Sequence, residues 1–339
     1  MRDFTGEDAV TAIIPAYNAE ATLDETLRSV RAQTHRALEI LVVDDGSRDG
    51  TPAIALAHAA ADPRVRLIRQ DNAGVAAARN RGIEAARAAL VAPVDADDLW
   101  APTKIERQVA ALRRGGPRVG LVYTWSALID GESRVIGFSG GEMKEGDVLA
   151  RMCRGNLIGN GSAALMRRDA VLAAGGFDST LRARRAQGCE DFLLYCRITA
   201  RHHAAVVPDF LTGYRQSDET MSRDVVQMMR SWLLVSAELR GLHPELRVDI
   251  EAGEAFAARW LLGRALWAYD LRAAWTVATA GAPGRHVLAA IVAELGSFAR
   301  QVGKGRARRL TARILGHPPA PALSRQRFPV GAIAADAGD

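Results

Sequence analysis

The chain has 339 residues, 48% hydrophobic and 24% charged, with a formal net charge of +5. This ordinary globular balance supplies a sizeable core and excludes a low-complexity or disordered chain. Three cysteines, Cys153, Cys189 and Cys196, show no zinc-type or C-x-x-C spacing, which argues against a disulfide framework and for a reducing compartment.

The first hundred residues alternate between strand and helix patterns. VTAIIPAY (10–17) is a short β-rich run, and AEATLDETLRSVRAQ (19–33) places Leu23, Leu27 and Val30 at helical spacing. LEILVVDD (38–45) is an apolar strand ending in acid. TPAIALAHAAA (51–61) is a helix with Pro52 near its start. VRLIRQ (65–70) reads as a strand, GVAAARNRGIEAARAA (74–89) as a helix, and LVAPVDADD (90–98) as a strand again. This order predicts a parallel sheet with right-handed crossovers and helices on both faces. Ligands of such sheets bind outside the carboxyl ends of the strands. IIPAYN, VVDDGS and VDADD all fall there, so Asp44, Asp45, Asp95 and Asp97 are expected on one rim, around one crevice.

Further along, TKIERQVAALRR and VGLVYTW predict a helix and a strand, and GFSGGEMKEG (137–146) a glycine-rich mobile loop. SAALMRR (162–168) reads as a strand, GGFD (175–178) as a turn, CEDFLLYCRITAR (189–201) as a helix, and AAVVPDFLTGYR (204–215) as short strand pieces. After Val225 the sequence turns helix-rich, with Trp232, Trp260, Trp267 and Trp275 expected as packing anchors. Residues 317–339 read as a disordered tail. The N-terminus lacks the layout of a signal peptide and no run reaches 18 apolar residues, so neither leader nor membrane span is expected. The positive charge gathers in LRARRAQG (181–188) and in RQVGKGRARRLTARILGH (300–317). The second run is either a solvated face or a contact for anionic lipid. No aromatic-interleaved basic motif or zinc finger points to nucleic acid.

The acidic DADD leaves two readings. Asp95, Asp97 and Asp98 form either a solvated turn that caps the next helix, or a hard-cation site in which Mg²⁺ or Mn²⁺ bridges carboxylates to substrate phosphates. Neither G-x-G-x-x-G after the first strand nor the P-loop pattern is present. A metal bridging carboxylate and diphosphate is the natural substitute for such loops.

Taken in order, IIPAYNAEATL, EILVVDDGSRDGT, NAGVAAARNRG, VDADDLW, GGFD and CED resemble the inverting glycosyltransferases of family 2, over about Val10 to Ser222. The resemblance implies the GT-A fold, an α/β fold whose mostly parallel sheet is flanked by helices. It implies a catalytic domain over 1–224, followed by a helical region over 225–316. It also implies site residues. Pro15, Tyr17 and Asp45 would lie at the nucleotide, with Tyr17 and Asp45 at base and ribose and Arg79 helping to place it. Asp95 would sit near the ribose or phosphate and, with Asp97, at a divalent cation, Mg²⁺ or Mn²⁺. Asp191 would be the general base, with Glu190 beside it as support or acceptor contact. Tyr17 as a core-edge aromatic, Arg79 as a surface ion pair and Asp98 as a helix cap are the structural alternatives. Cys189 is read as a small packing residue.

Two departures narrow the reading. The Q-x-x-R-W signature of processive members is missing, since the region reads YRQSDETMS, and Ser217 stands where many relatives have histidine. The expected activity is therefore non-processive transfer from a nucleotide-diphosphate sugar, foremost a UDP-sugar, to a glycan or lipid-linked acceptor. The expected location is the cytoplasm, peripheral to the inner face of the membrane through 300–317. A glycoside hydrolase, a nucleotidyltransferase and a non-catalytic nucleotide-sugar-binding or scaffolding module of a polysaccharide assembly complex are the rivals.

Overall fold

The computed structural model describes residues 4, 6–216, 224–280, 292, 293, 296, 300 and 326–330. Strands β1 (Val10–Ala16), β2 (Leu38–Asp44), β3 (Val65–Arg69) and β4 (Leu90–Pro93) are parallel, in the order β3-β2-β1-β4. Helices α1 (Leu23–Arg31), α2 (Thr51–Ala61) and α3 (Val75–Ala85) connect them. β1 and β2 are buried along their whole length. Strands covered on both faces read as near-continuous apolar runs; the exceptions besides the terminal Asp44 are Thr11 and Glu39, which face each other, Thr11 Oγ1 donating to Glu39 Oε2 at 2.8 Å. Val10, Ala12, Ile14 and Ala16 of β1 join a cluster with Leu23, Leu27 and Val30 of α1, whereas Ile13 joins the opposite cluster with Ala76, Ala78 and Ile83 of α3. α3 sits close on β1 because position 82 is glycine; a Cβ there would lie 2.3 Å from Ile13 Cγ2.

α1 begins at Leu23, not near Ala19, because the neighbouring loop holds the preceding backbone. Ala19 N donates to Thr51 Oγ1 at 2.7 Å and Glu20 N to Asp49 Oδ2 at 3.1 Å.

The second half adds β5 (Leu99–Trp100), α4 (Lys104–Gly115), β6 (Val119–Ile129), β7 (Val135–Ser139), α5 (Leu149–Cys153), β8 (Ala164–Arg167), α6 (Arg168–Ala173), α7 (Thr180–Ala183), α8 (Glu190–Thr199) and β9 (His203–Arg215). The sheet continues from β4 as β8-β6-β9-β5, with β7 paired to β6. β8 runs antiparallel to β4 and β6, and β6 runs parallel to β9, so the sheet is mixed beyond its parallel N-terminal part. β9 is one strand where the sequence suggests pieces. Pro208 cannot donate to the ladder, and the register slips between Thr124↔Val207 and Trp125↔Phe210, so a bulge absorbs the proline. The glycine-rich stretch is also partly regular, because β7 takes residues 137–139 into the sheet.

Helices α9 (Val225–Leu242), α10 (Arg247–Trp267) and α11 (Leu271–Thr279) share a core with α3, α5 and α8. Asp224 caps α9 by accepting from Gln227 N at 2.8 Å. Trp232 is buried and stacks on Phe192 of α8 with ring centroids 4.6 Å apart. Gly253 brings α10 onto α5, since a Cβ there would meet Cys153 O at 2.1 Å. The other tryptophans do not anchor the core as expected. Trp260, Trp267 and Trp275 are exposed, Trp275 by 73%. Helices α10 and α11 place them on outward faces, a consequence of helical phase that tryptophan content alone does not reveal.

The expectation of a disordered tail needs correction at residues 326–330. Val135 N donates to Gln326 O and Phe328 N to Ser133 O, both at 2.8 Å, and the Phe328 side chain is buried against Gly213 and Ile129. One aromatic ring with a place in the core outweighs the polar composition around it. The remainder of 317–339, the basic run 301–317 and Ser217 lie outside the described residues.

Candidate active site

The parallel order fixes the rim. Tyr17 follows β1, Asp45 follows β2 and Asp95 follows β4, with β1 between the other two. Neighbouring strands lie about 4.8 Å apart, so the ends of β2 and β4 are separated by roughly 10 Å. Asp44 and Asp45 therefore do not converge with Asp95 and Asp97 as the sequence suggests. Asp44 is fully buried, and its carboxylate accepts from Ser47 N and from Arg69 Nε, each at 3.0 Å. Asp45 accepts from Gln70 Nε2 at 2.7 Å and from the backbone N–H groups of Ala73 and Gly74 at 2.8 and 2.7 Å, at the start of α3. Tyr17 stands 51% exposed between the two acidic ends. Pro15 is buried near the carboxyl end of β1, opposite Val43.

Beyond β4 the three aspartates divide. Asp98 is fully buried. Its Oδ2 accepts from Ser162 Oγ at 2.5 Å and its Oδ1 from Arg215 N at 2.9 Å. It caps no helix, because α4 starts later with Thr103 at its N-cap. Burial pushes its carboxyl above the ordinary range. Asp95 is held by Arg79, whose Nη2 donates to Oδ1 at 2.5 Å. Arg79 is not a surface ion pair. It is buried, lies 5.1 Å from the centre of the Phe177 ring, and keeps a buried Nε without a partner. Burial opposes its charge, but Asp95, Asp191 and Glu190 outweigh burial and hold its pKa above the ordinary value. Asp97 is the carboxylate left over. Among the described residues it has no hydrogen-bond or ion-pair partner in another side chain. Burial, then the charge of Asp95, push it up to about 6.

That mismatch is the test for a cation. An ionised carboxylate that is desolvated and beside a second carboxylate needs positive charge. Among the described residues no three His, Cys, Asp or Glu side chains are grouped to hold a metal by themselves. The donor set fits an ion held by one or two carboxylates and completed by phosphate oxygens, the usual mode for Mg²⁺.

Glu190 and Asp191 open α8, with Cys189 at the N-cap. Glu190 is buried and its Oε2 accepts from Gly188 N at 2.8 Å. Asp191 is partly exposed, and its Oδ1 accepts from Phe192 N at 2.7 Å. Burial raises its pKa to about 6, against the lowering pull of Arg79. Burial also pushes the Cys189 thiol up, so it packs as an inert group. Arg79 thus faces both carboxylate sets. Asn80, the next residue on α3, ties in the GGFD turn, donating to Phe177 O at 2.8 Å and accepting from Phe177 N at 2.9 Å.

Arg215, at the end of β9, was not singled out from sequence, where it is one arginine among many. It is 3% exposed and donates to Asp97 O at 2.7 Å, Asp130 O at 2.8 Å, Gly131 O at 3.1 Å, Glu25 Oε2 at 2.9 Å and Ser133 Oγ at 3.0 Å. The guanidinium holds the backbone of the acidic loop against the β6–β7 turn and α1. Arg215→Met keeps the aliphatic stem and is expected to destabilise the fold by about 3 kcal/mol, since it strands several buried acceptors. Urea unfolding measures this, and a loss below about 1 kcal/mol would remove Arg215 from its role as the clamp.

The parallel β-α-β part extended by a mixed sheet has the GT-A-type fold of the solved transferase structures on which it superposes. Residues 11–173 match the family described as glycosyl transferase family 2. The succinoglycan biosynthesis protein ExoO of Rhizobium meliloti (strain 1021) is 39% identical over 125 residues, 37% of this chain and 35% of that protein. The uncharacterized glycosyltransferase YibD of Escherichia coli (strain K12) is 47% identical over 97 residues, 29% of this chain and 28% of that one. The matches span about a third of the length of these curated relatives. Among solved structures, the mannosyltransferase PcManGT from Pyrobaculum calidifontis, in complex with GDP-Man and Mn²⁺, superposes with a TM-score of 0.57 at 23% identity, covering 91% of this chain and 82% of that one. S. aureus TarS 1-349 in complex with UDP-GlcNAc gives 0.56 at 16% identity, covering 85% and 80%. At these identities the likeness concerns the fold.

Proposed function

We infer that this chain is a metal-dependent, inverting, non-processive sugar transferase of the hexosyl or a related type. It moves a sugar from a nucleotide-diphosphate donor to an acceptor hydroxyl in polysaccharide or glycolipid synthesis. The observation that carries this reading is the pair of carboxylate sets facing Arg79, Asp95 with Asp97 at the end of β4 and Glu190 with Asp191 at the start of α8. Tyr17 and Asp45 would meet the base and ribose; Asp45 lies roughly 10 Å along the rim from Asp95 with Tyr17 between them, a span suited to a nucleoside diphosphate. Asp97 and Asp95 would hold Mg²⁺ or Mn²⁺, which when bound neutralises charge on the diphosphate. The Mn²⁺ bound by the Pyrobaculum mannosyltransferase supports this assignment.

Asp191 Oδ2, opposite the oxygen that accepts from Phe192 N, takes the proton of the acceptor hydroxyl. The hydroxyl oxygen bonds to the anomeric carbon as the bond to the diphosphate breaks, and the electron pair leaves with the nucleoside diphosphate. One displacement inverts the anomeric centre, so an α donor gives a β product. Glu190 fixes the turn at Gly188 beside the base. Arg79 orients Asp95 and, through it, acts on the donor.

A panel of nucleotide sugars, with and without Mg²⁺ or Mn²⁺, tests the reading by thermal shift and nucleotide release. UDP-sugars come first. The two structural neighbours carry different nucleotide sugars, UDP-GlcNAc and GDP-Man, so GDP-sugars belong in the panel. Nucleotide-independent cleavage of glycosides would favour a hydrolase, and donor binding without release a non-catalytic module.

The same reading places the enzyme in the cytoplasm, at the inner face of the membrane. Among the described residues no helix is long and apolar enough to cross a bilayer. Support for surface association comes from the basic run 300–317 and from exposed Trp267, Tyr269, Leu271 and Trp275 around the α10–α11 corner. Trp and Tyr favour the interfacial zone, and each basic residue adds about 1 kcal/mol at an anionic surface. The full chain is expected to co-sediment with vesicles rich in anionic lipid and to be released by salt. Equal binding to neutral and anionic vesicles, or none to either, would end this part of the proposal.

A further inference from the structure

Outside the carboxylate cluster, β6, β7 and β9 bring three aromatic side chains together. Phe138 and Phe210 have ring centroids 4.5 Å apart, and Trp125 lies 5.3 Å from Phe210, each pair tilted by 49°. Phe138 is 64% exposed and Phe210 36% exposed. Rings of this size normally bury most of their surface, so an exposed group of them suits a partner with an apolar face. The buried Trp125 Nε1 has no hydrogen-bond partner, an unmet donor of the kind that marks an incomplete site. The chain over the indole is thin. Gly140 adopts φ +125°, and a Cβ there would lie 2.6 Å from the Trp125 ring.

The position of this platform points to its occupant. Asn160 Nδ2 donates to Ser126 Oγ at 2.8 Å, next to Trp125 on β6. Tyr195 OH donates to Asn160 O at 3.1 Å, one helical turn beyond Asp191 on α8. Gly161, the following residue, backs onto Arg79 and Asp95. Asn160 and Gly161 therefore run from Ser126, the neighbour of Trp125 in β6, to the candidate base helix and the donor-side carboxylates. We propose that Phe138 and Phe210, backed by Trp125, form an acceptor subsite that stacks on the pyranose ring of the glycan receiving the transferred sugar. The negative face of an aromatic ring attracts the polarised C–H groups on one side of a pyranose. The proposal rests on the transferase reading and names the substrate class on its acceptor side.

Saturation-transfer NMR on the full chain tests it. The probes are octyl glycosides of glucose, galactose, mannose and N-acetylglucosamine below their micellar concentrations, with UDP and GDP measured separately. Ring protons of at least one glycoside are expected to receive saturation. In the Phe138→Ala/Phe210→Ala variant that binding is expected to weaken about tenfold, with nucleotide binding and Tm unchanged. Phe138→Leu, which keeps apolar bulk without a π-face, is expected to weaken it in the same direction. Unchanged ring transfer in the double variant, transfer confined to the octyl chain, or no transfer to any glycoside overturns the subsite. Absence of nucleotide binding in the wild type counts against the transferase reading alone, since the glycoside measurement needs no donor.

Discussion

Asp191→Asn is expected to lower glycosyl transfer by about 10²-fold or more while leaving the fold and donor affinity intact. The substitution removes proton acceptance and little else. Asp191 is not the N-cap of α8, a place taken by Cys189, and its one backbone bond runs from Phe192 N to Oδ1. An asparagine carbonyl oxygen accepts that bond equally well. Glu190→Gln is expected to cost less, because Glu190 faces inward and its work is to accept from Gly188 N, which an amide oxygen also does. The pH profile gives an independent check. A base must be ionised to act, and burial holds the Asp191 pKa at about 6. Transfer at saturating metal and donor should therefore rise with pH through about 6, then level off. The residual activity of Asp191→Asn should lack that limb. Near-normal transfer by the variant with saturating acceptor would assign the proton to another group.

The parts of this structure that could be read from the sequence are those in which a local pattern has a local cause. Buried parallel strands need apolar runs, and helices packed on them need a 3.6-residue stripe, so β1 to β4 and α1 to α3 were legible to within a few residues. The acidic ends of those strands could be placed on one rim because a parallel sheet aligns its carboxyl ends. What the rim looks like depends on contacts across the chain. Asp44 and Asp98 resemble their neighbours in sequence, yet both are buried and consumed, one by Arg69 and the other by Ser162 and the Arg215 backbone. Their partners lie 25, 64 and 117 positions away, and no periodicity encodes such separations. The family resemblance implies a site role for Arg79, but its bond to Asp95 follows from how closely Gly82 lets α3 approach β1. The Arg215 clamp and the buried Phe328 escaped notice for the same reason, since each is defined by segments that meet only after folding.

Removing the Asp97 carboxylate is expected to abolish donor binding and to stabilise the metal-free protein, two effects of opposite sign from one cause. The ordinary Asp pKa is near 3.8, and in the fold Asp97 stands at about 6. A carboxyl with a raised folded-state pKa is ionised at a cost, and that cost is fully present above pH 6 or so, where the native state must carry the charge. Asp97→Ala removes the desolvated charge and its repulsion with Asp95. The metal-free variant should therefore melt higher at pH 7.5, by roughly 2–4 °C for each kcal/mol recovered. At pH 5 the wild-type side chain is largely protonated, so the gain should shrink. The same charge is what a divalent ion and a diphosphate would use. Loss of a ligand that matters should cost at least the 10–100-fold seen for groups that merely support ligands, and Mn²⁺-dependent thermal shifts with the donor should vanish. Chelation of the wild type should reproduce the loss of turnover, and added Mg²⁺ or Mn²⁺ should restore it. Full activity after exhaustive chelation, or an undiminished Mn²⁺ shift in Asp97→Ala, would show that Asp97 is strained for some other purpose. Arg215 and Arg79 pull the Asp97 pKa down, yet burial and the charge of Asp95 outweigh them, which leaves a charge that a divalent cation would offset. Under the proposed metal role, the charge that Asp97 carries beside Asp95 is the charge that the ion would neutralise.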